Sequence, residues 1–168
     1  MLFRSSGLHS NGYSLARKAL LDPAHGGLRL DDPLPGASMT VGEALLVPTA
    51  IYVRPVLALH ALGGAVHAAT HITGGGLLEN PPRGVPEHLA LRLDLRTVEV
   101  PPILRAIAAQ GVGVTEMRRT FNMGVGMLLI VDADRVAEVQ ATLDGAGQAS
   151  TLVGSIVARR GESVEFVE

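Results

Sequence analysis

Two histidines stand where a proton could be moved. His9 lies in Ser5 to Ser14, SSGLHSNGYS, and His71 in Thr70 to Arg83, THITGGGLLENPPR. Imidazole is the side chain whose ordinary pKa lets it gain or lose a proton near neutral pH. Each histidine is followed by residues that leave the main chain accessible: Ser10, Asn11 and Gly12 after the first, Thr73, Gly74, Gly75 and Gly76 after the second, with Asn80 a few residues on. Glycine enters positive φ without steric cost and lets another molecule press against the backbone. A helix that starts beyond such a loop aims free N–H groups and its positive dipole end at the occupant, so the expected ligand is an anion shared by both loops. Histidine and asparagine would supply proton transfer and orientation. The plainer readings of the same residues are a tight turn that needs glycine for its geometry and histidines that close a cap or a strand. A dinucleotide fingerprint is absent, since Gly74-Gly75-Gly76 lacks the G-x-G-x-x-G spacing, and no Walker lysine follows.

The elements that must hold these loops can be read from periodicity. Ala65 to Thr73 is a run of small and β-branched residues that predicts a strand, and Leu77 to Asn80 resumes a helical pattern. Tyr13 to Leu21 is the helix after the first loop, with Leu15 and Ala19 on one face. Thr40 and Glu43 have the spacing of a capping box for a helix that Pro48 stops. A second helix is expected over Thr49 to Leu62, ended by Gly63-Gly64. Leu89 to Leu95 alternates as a half-buried strand, Pro101-Pro102 opens a helix closed by Gly111, and Gly124 to Val131 is a buried strand. Asp134 to Leu143 reads as a helix capped from Asp132. Thr151 to Arg159 and Ser163 to Val167 read as an antiparallel hairpin, while Asp22 to Met39 is a Pro-, Gly- and Asp-rich loop. The expected class is α+β, with helices packed on a mixed, largely antiparallel sheet in one domain over residues 1–168.

Composition narrows the function. A net charge of −2 and only five aromatics leave neither a basic face nor stacking platforms for nucleic acid. With no cysteine, thiolate nucleophiles and disulfides are excluded, which fits a reducing cytoplasm. No apolar run approaches the ~20 residues that span a bilayer, and the first residues lack a secretory signal. Asp31-Asp32, Asp94, Asp132 and Asp134 make no convincing metal cluster.

Four strings carry a family resemblance: HSNGYSLARKAL (9–20), VPTAIYVRPVL (47–57), HITGGGLLENPPR (71–83) and RRTFNMGVGM (118–127). In order, they resemble the C-terminal half of aminoimidazole ribonucleotide synthetase, also called phosphoribosylformylglycinamidine cyclo-ligase. The resemblance implies the same α+β fold and an enzyme that closes the imidazole ring of formylglycinamidine ribonucleotide with ATP and Mg²⁺. It implies one wall of the substrate cleft here, with His9, His71 and Asn11 as catalytic groups. Ser10, Gly12, Thr73, Gly74, Gly75, Gly76 and Asn80 would bind substrate, and no metal ligand would come from this chain. ATP and the ion would belong to an N-terminal ATP-binding domain that also forms the homo-oligomer, so this chain alone is expected to be inactive. The competing readings are a non-catalytic module that binds a phosphorylated ligand or a partner, and another ATP-dependent member of the same superfamily.

Overall fold

The computed structural model describes residues 1–167. In chain order the elements are β1 (Leu2–Arg4), α1 (Tyr13–Leu21), α2 (Val41–Leu45), α3 (Val53–Ala58), β2 (Val66–His71), α4 (Gly76–Glu79), β3 (Leu89–Leu93), α5 (Pro102–Ala109), α6 (Val114–Thr120), β4 (Val125–Val131), α7 (Val136–Gly145), β5 (Ser150–Thr151), β6 (Gly154–Ala158) and β7 (Val164–Phe166). Short 3-10 turns extend α3 and α4 and precede α7. The strands form two sheets instead of one. A four-stranded antiparallel sheet has the order β2-β4-β1-β5, and a three-stranded sheet has β6-β3-β7.

Local sequence explains most of these elements. The Thr40 hydroxyl accepts from the Glu43 amide while the Glu43 carboxylate accepts from the Thr40 amide, which closes the capping box of α2. Pro102 sits in the first turn of α5, where a missing N–H costs nothing. Along β2 the burial alternates, as befits an edge strand with one face covered. Central β4 is mostly buried on both faces, so it reads as a continuous apolar run.

Three departures from the sequence expectation have clear causes. The last two strands do not form a hairpin: β3 lies between them, antiparallel to β6 and parallel to β7. Gly154 permits that insertion, because a Cβ there would collide with the Arg92 carbonyl oxygen. The helix expected from Thr49 begins only at Val53, since Pro48 to Tyr52 runs over the first loop and bonds to it through Pro48 and Thr49. Asp132 does not cap α7; its carboxylate takes a bond from His67 at 2.6 Å.

Burial is divided among three clusters. One lies among α1, α2, α5 and the end of α6, around Leu20, Leu104, Ile107 and Phe121. The other two cover opposite faces of the four-stranded sheet, with Leu2 and Leu128 on one side and Phe3 and Leu129 on the other. Val125 shares the face of Leu128 although strand alternation would oppose them. The register of β1 on β4 shifts between Phe3 and Arg4, and Gly126 is the extra residue.

Asn122 ties this bulge to the segment after β1. Its Oδ1 accepts from the Ser5 hydroxyl and the Gly124 amide, both at 2.9 Å, and its Nδ2 donates to the Gly7 carbonyl at 2.7 Å. Asn122→Leu removes three bonds and leaves buried partners unsatisfied. We expect a loss of about 2–4 kcal/mol in urea unfolding with an unchanged m value; a loss under ~1 kcal/mol would show that the carboxamide is dispensable.

Candidate functional site

The two loops meet. The His9 and His71 rings lie 6.0 Å apart between centroids, and the Asn11 carboxamide oxygen borders Gly74, 3.7 Å from where a Cβ would sit. Tyr52 completes the cluster, its ring 6.0 Å from His9 and 5.9 Å from His71, edge-on to the latter.

The first loop is strained and over-determined. His9 and Ser10 take positive φ of 51° and 58°, which costs non-glycine residues on the order of 1–3 kcal/mol each. Asn11 holds the turn by donating its Nδ2 to the His9 carbonyl at 2.6 Å, and the Ser10 hydroxyl lies 3.1 Å from that of Thr49. Gly12, also at positive φ, packs on the Phe121 ring so closely that a Cβ would overlap it.

His9 is 2% exposed and its proton position follows from its bonds. Nε2 accepts from the Ser6 amide at 2.9 Å, with the Ala50 amide at 3.4 Å, and an amide can only donate. The neutral ring therefore carries its proton on Nδ1. Among the described residues Nδ1 has no partner although it is buried. Burial, reinforced by the neighbouring His71, pushes the His9 pKa down to about 4, so the ring is neutral at pH 7. His71, at the end of β2, is exposed. One imidazole is thus a fixed neutral donor and the other is open to solvent.

The glycine triplet divides by role. Gly76 packs on α6, where a Cβ would strike the Arg118 carbonyl, and Gly75 has φ 102°. Gly74 has ordinary φ and meets only Asn11, so it is the position where a missing side chain leaves open space. Asn80 is spent on the loop itself: Oδ1 accepts from the Thr73 amide at 2.6 Å and Nδ2 donates to the Gly74 carbonyl at 3.1 Å. Thr73 also accepts the Gly76 amide, and α4 is a single turn. A helix dipole of any consequence therefore comes from α1 alone, not from both helix starts.

Sequence reading by residue type passed over Tyr52, Asn122 and Gly126. Their signal was position, because Tyr52 lies in VPTAIYVRPVL and the other two in RRTFNMGVGM. Among the described residues no three His, Asp or Glu side chains group to hold a metal. Of the acidic residues singled out from the sequence, Asp94 is held by Arg96 at 2.6 Å, Asp31 and Asp32 by Arg29, and Asp132 by the more distant His67. No helix among the described residues is long and apolar enough to cross a membrane.

Comparison with known proteins identifies the family. The family model described as AIR synthase related protein, C-terminal domain, matches residues 1–167. The chain belongs to that family. It is 47% identical over 154 residues to the phosphoribosylformylglycinamidine cyclo-ligase of Pseudothermotoga lettingae, covering 91% of this chain and 44% of that protein. The chain thus spans less than half the length of that curated relative. Among solved structures it is similar to a thiamine-monophosphate kinase from Stenotrophomonas maltophilia, with a TM-score of 0.59 at 19% identity over 98% of this chain and 49% of that one. The protein tt0281 of Thermus thermophilus aligns with a TM-score of 0.56 at 20% identity, over 98% and 48% of the two chains. These two likenesses concern the fold, which is the α+β arrangement that the family's strings implied.

The His9 environment makes a pH prediction. In protein carrying ¹⁵N-labelled histidine, the His9 ring should stay neutral with its proton on Nδ1 until the pH nears 4. Because the folded pKa lies below the unfolded 6.5, its contribution to stability is complete above pH 6.5 and is lost as the pH falls through about 4. The loss should be on the order of 1–3 kcal/mol after solvent screening. A His9 that titrates near 6.5 would contradict the buried tautomer.

Proposed function

We propose that this chain forms one wall of the substrate cleft of a phosphoribosylformylglycinamidine cyclo-ligase. The assembled enzyme, working in the cytoplasm, converts formylglycinamidine ribonucleotide and ATP to aminoimidazole ribonucleotide, ADP and phosphate. The observation that carries the reading is the convergence of His9, Asn11, His71 and Gly74, drawn from two of the four strings that resemble this family.

The residues present do not fit a Mg²⁺–ATP site, since among the described residues no acidic cluster and no phosphate-binding lysine lies near the loops. ATP and Mg²⁺ are therefore assigned to a separate N-terminal ATP-binding half, through which the enzyme also forms its homo-oligomer. Exposed apolar side chains in the segment that runs over the first loop support such a partner: Leu46 and Ile51 are 81% and 82% exposed, and Val53 and Leu57 are also uncovered.

Ring closure requires an amidine nitrogen to attack the carbon of the formyl group once its oxygen has been phosphorylated. The new C–N bond forms, phosphate leaves with the former formyl oxygen, and the attacking nitrogen loses a proton. His71, exposed at the cleft, accepts that proton, and the free Oδ1 of Asn11 orients the amidine N–H groups. The Gly74 and Gly75 amides, which donate to no backbone acceptor among the described residues, serve the developing negative charge. Ser10, Gly12, Thr73, Gly76 and Asn80 shape the walls.

Two measurements test this. ATP-dependent product should be absent with this chain alone and present when an ATP-binding half is supplied; turnover by the chain alone would refute the division. Gly74→Val should leave the fold intact, because that backbone is unstrained, yet weaken formylglycinamidine ribonucleotide binding at least tenfold by calorimetry. Binding equal to the parent's would remove Gly74 from the cleft.

A further inference from the structure

Tyr52 is a buried aromatic residue for which the proposed chemistry has no use, yet every part of it is engaged. Its hydroxyl donates to the Arg4 carbonyl at 2.6 Å, at the end of β1. Its ring packs on Phe3 at 5.4 Å between centroids and touches both imidazoles. It is 5% exposed, and its ring forms a triangle with those of the buried His9 and the exposed His71.

The space it occupies is made by a missing side chain on another element. A Cβ on Gly126 would overlap the Tyr52 hydroxyl, come within 2.7 Å of the ring carbon that bears it, and reach 3.0 Å from Cε1 of His9. Gly126 does not need glycine for its φ, since it is not among the positive-φ residues. Nor does sheet pairing demand it: Gly126 is the bulge residue skipped when Phe3 pairs with Met127 and Arg4 with Val125. Close approach by Tyr52 and His9 is what remains to explain a glycine there.

We propose that Tyr52 is a positioning residue that sets the separation of the His9 and His71 rings, and that Gly126 is the residue whose bare backbone admits it. The inference rests on the reading of these histidines as the cleft's working pair. Tyr52 touches no reacting atom in this scheme. It acts by filling the volume that water would otherwise take beside His9, and by bracing His71 from the edge. The groups that face the pair are Tyr52, the Ser6 amide and hydroxyl, the Ala50 amide and the imidazoles themselves; the Arg4 guanidinium is turned away to Glu99 at 3.1 Å.

The test is a set of histidine ring titrations by NMR on the 168-residue chain with no substrate present, so the result does not depend on the identity of the reaction. Tyr52→Phe keeps the ring and loses one hydrogen bond, and should leave the His9 titration within about 0.3 pH units of the parent. Tyr52→Leu admits water and should raise the His9 midpoint by at least one unit from about 4 toward 6.5. Gly126→Ala should do the same by displacing the tyrosine. The double variant should be no worse than either single, the non-additivity expected of two residues acting through one contact. Amide spectra report whether each variant is folded. If Gly126→Ala does not fold, Tyr52→Leu and Tyr52→Phe still decide the matter. Unchanged His9 titration in folded Tyr52→Leu, or strictly additive shifts in the double variant, would overturn the proposal. Failure of the cyclo-ligase assay alone would leave it standing.

Discussion

The five residues Arg118 to Asn122 are the surface against which both loops are pressed. Gly12 lies on the Phe121 ring and the Thr120 methyl, Gly76 lies on the Arg118 and Arg119 carbonyls, and Asn122 grips the Gly7 carbonyl and the Ser5 hydroxyl. Each approach is closer than a Cβ would allow or depends on a carboxamide buried from water. Because one rigid turn holds both loops, their separation is set by a short stretch of chain and not by the relative placement of distant elements. The His9 to His71 distance and the Asn11 contact to Gly74 follow from it. Phe121 is itself fixed in the helical core beside Leu104 and Ile107, so that core positions the site.

How much of this was legible depended on the range of the interaction. Features decided within four residues were readable: the Thr40 and Glu43 capping box, the run of small and β-branched residues in β2, the Pro102 helix start, and the polar loops after β1 and β2. Features decided across the chain were not. The hairpin expected at the C-terminus failed because β3, some sixty residues earlier in the chain, offers both of its edges, and nothing near Arg160 records that. Asp132 looked like a cap because its sequence neighbours are helical, whereas its partner His67 lies on β2. The glycine triplet showed a loop but not its division of labour. Which glycine is open depends on the α6 carbonyls against Gly76 and on Asn11 near Gly74. Asn80 was legible as a member of the loop and not as its internal brace.

The two histidines looked equivalent in sequence, each just before a polar loop. Their surroundings separate them. His9 sits inside the fold with Nε2 held by a backbone amide, so it can neither take up a proton there nor exchange its Nδ1 proton readily. His71, on an edge strand, is reached by solvent. Two similar groups given different burial acquire different surroundings, one with its proton fixed on a buried nitrogen and the other open to solvent. The unpartnered Nδ1 is a local cost, since a buried donor without an acceptor forfeits on the order of 1–3 kcal/mol.

That cost and the left-handed backbone of His9 and Ser10 have the same origin. A turn free to choose would place glycine or asparagine at these φ values and would leave no imidazole nitrogen unsatisfied. Here the strained residues persist because the surroundings fix the turn from several sides: Asn11 on the His9 carbonyl, Asn122 on Gly7, Thr49 on Ser10 and the Ser6 amide on the ring. Each bond contributes on the order of 1 kcal/mol, so together they match a strain of a few kcal/mol without leaving a surplus. Removing any one of them shifts the balance and lets the ring move. The imidazole therefore stays in place only while the whole set is intact, which makes the turn rigid at the atom that faces His71 and sensitive to changes as far away as Asn122.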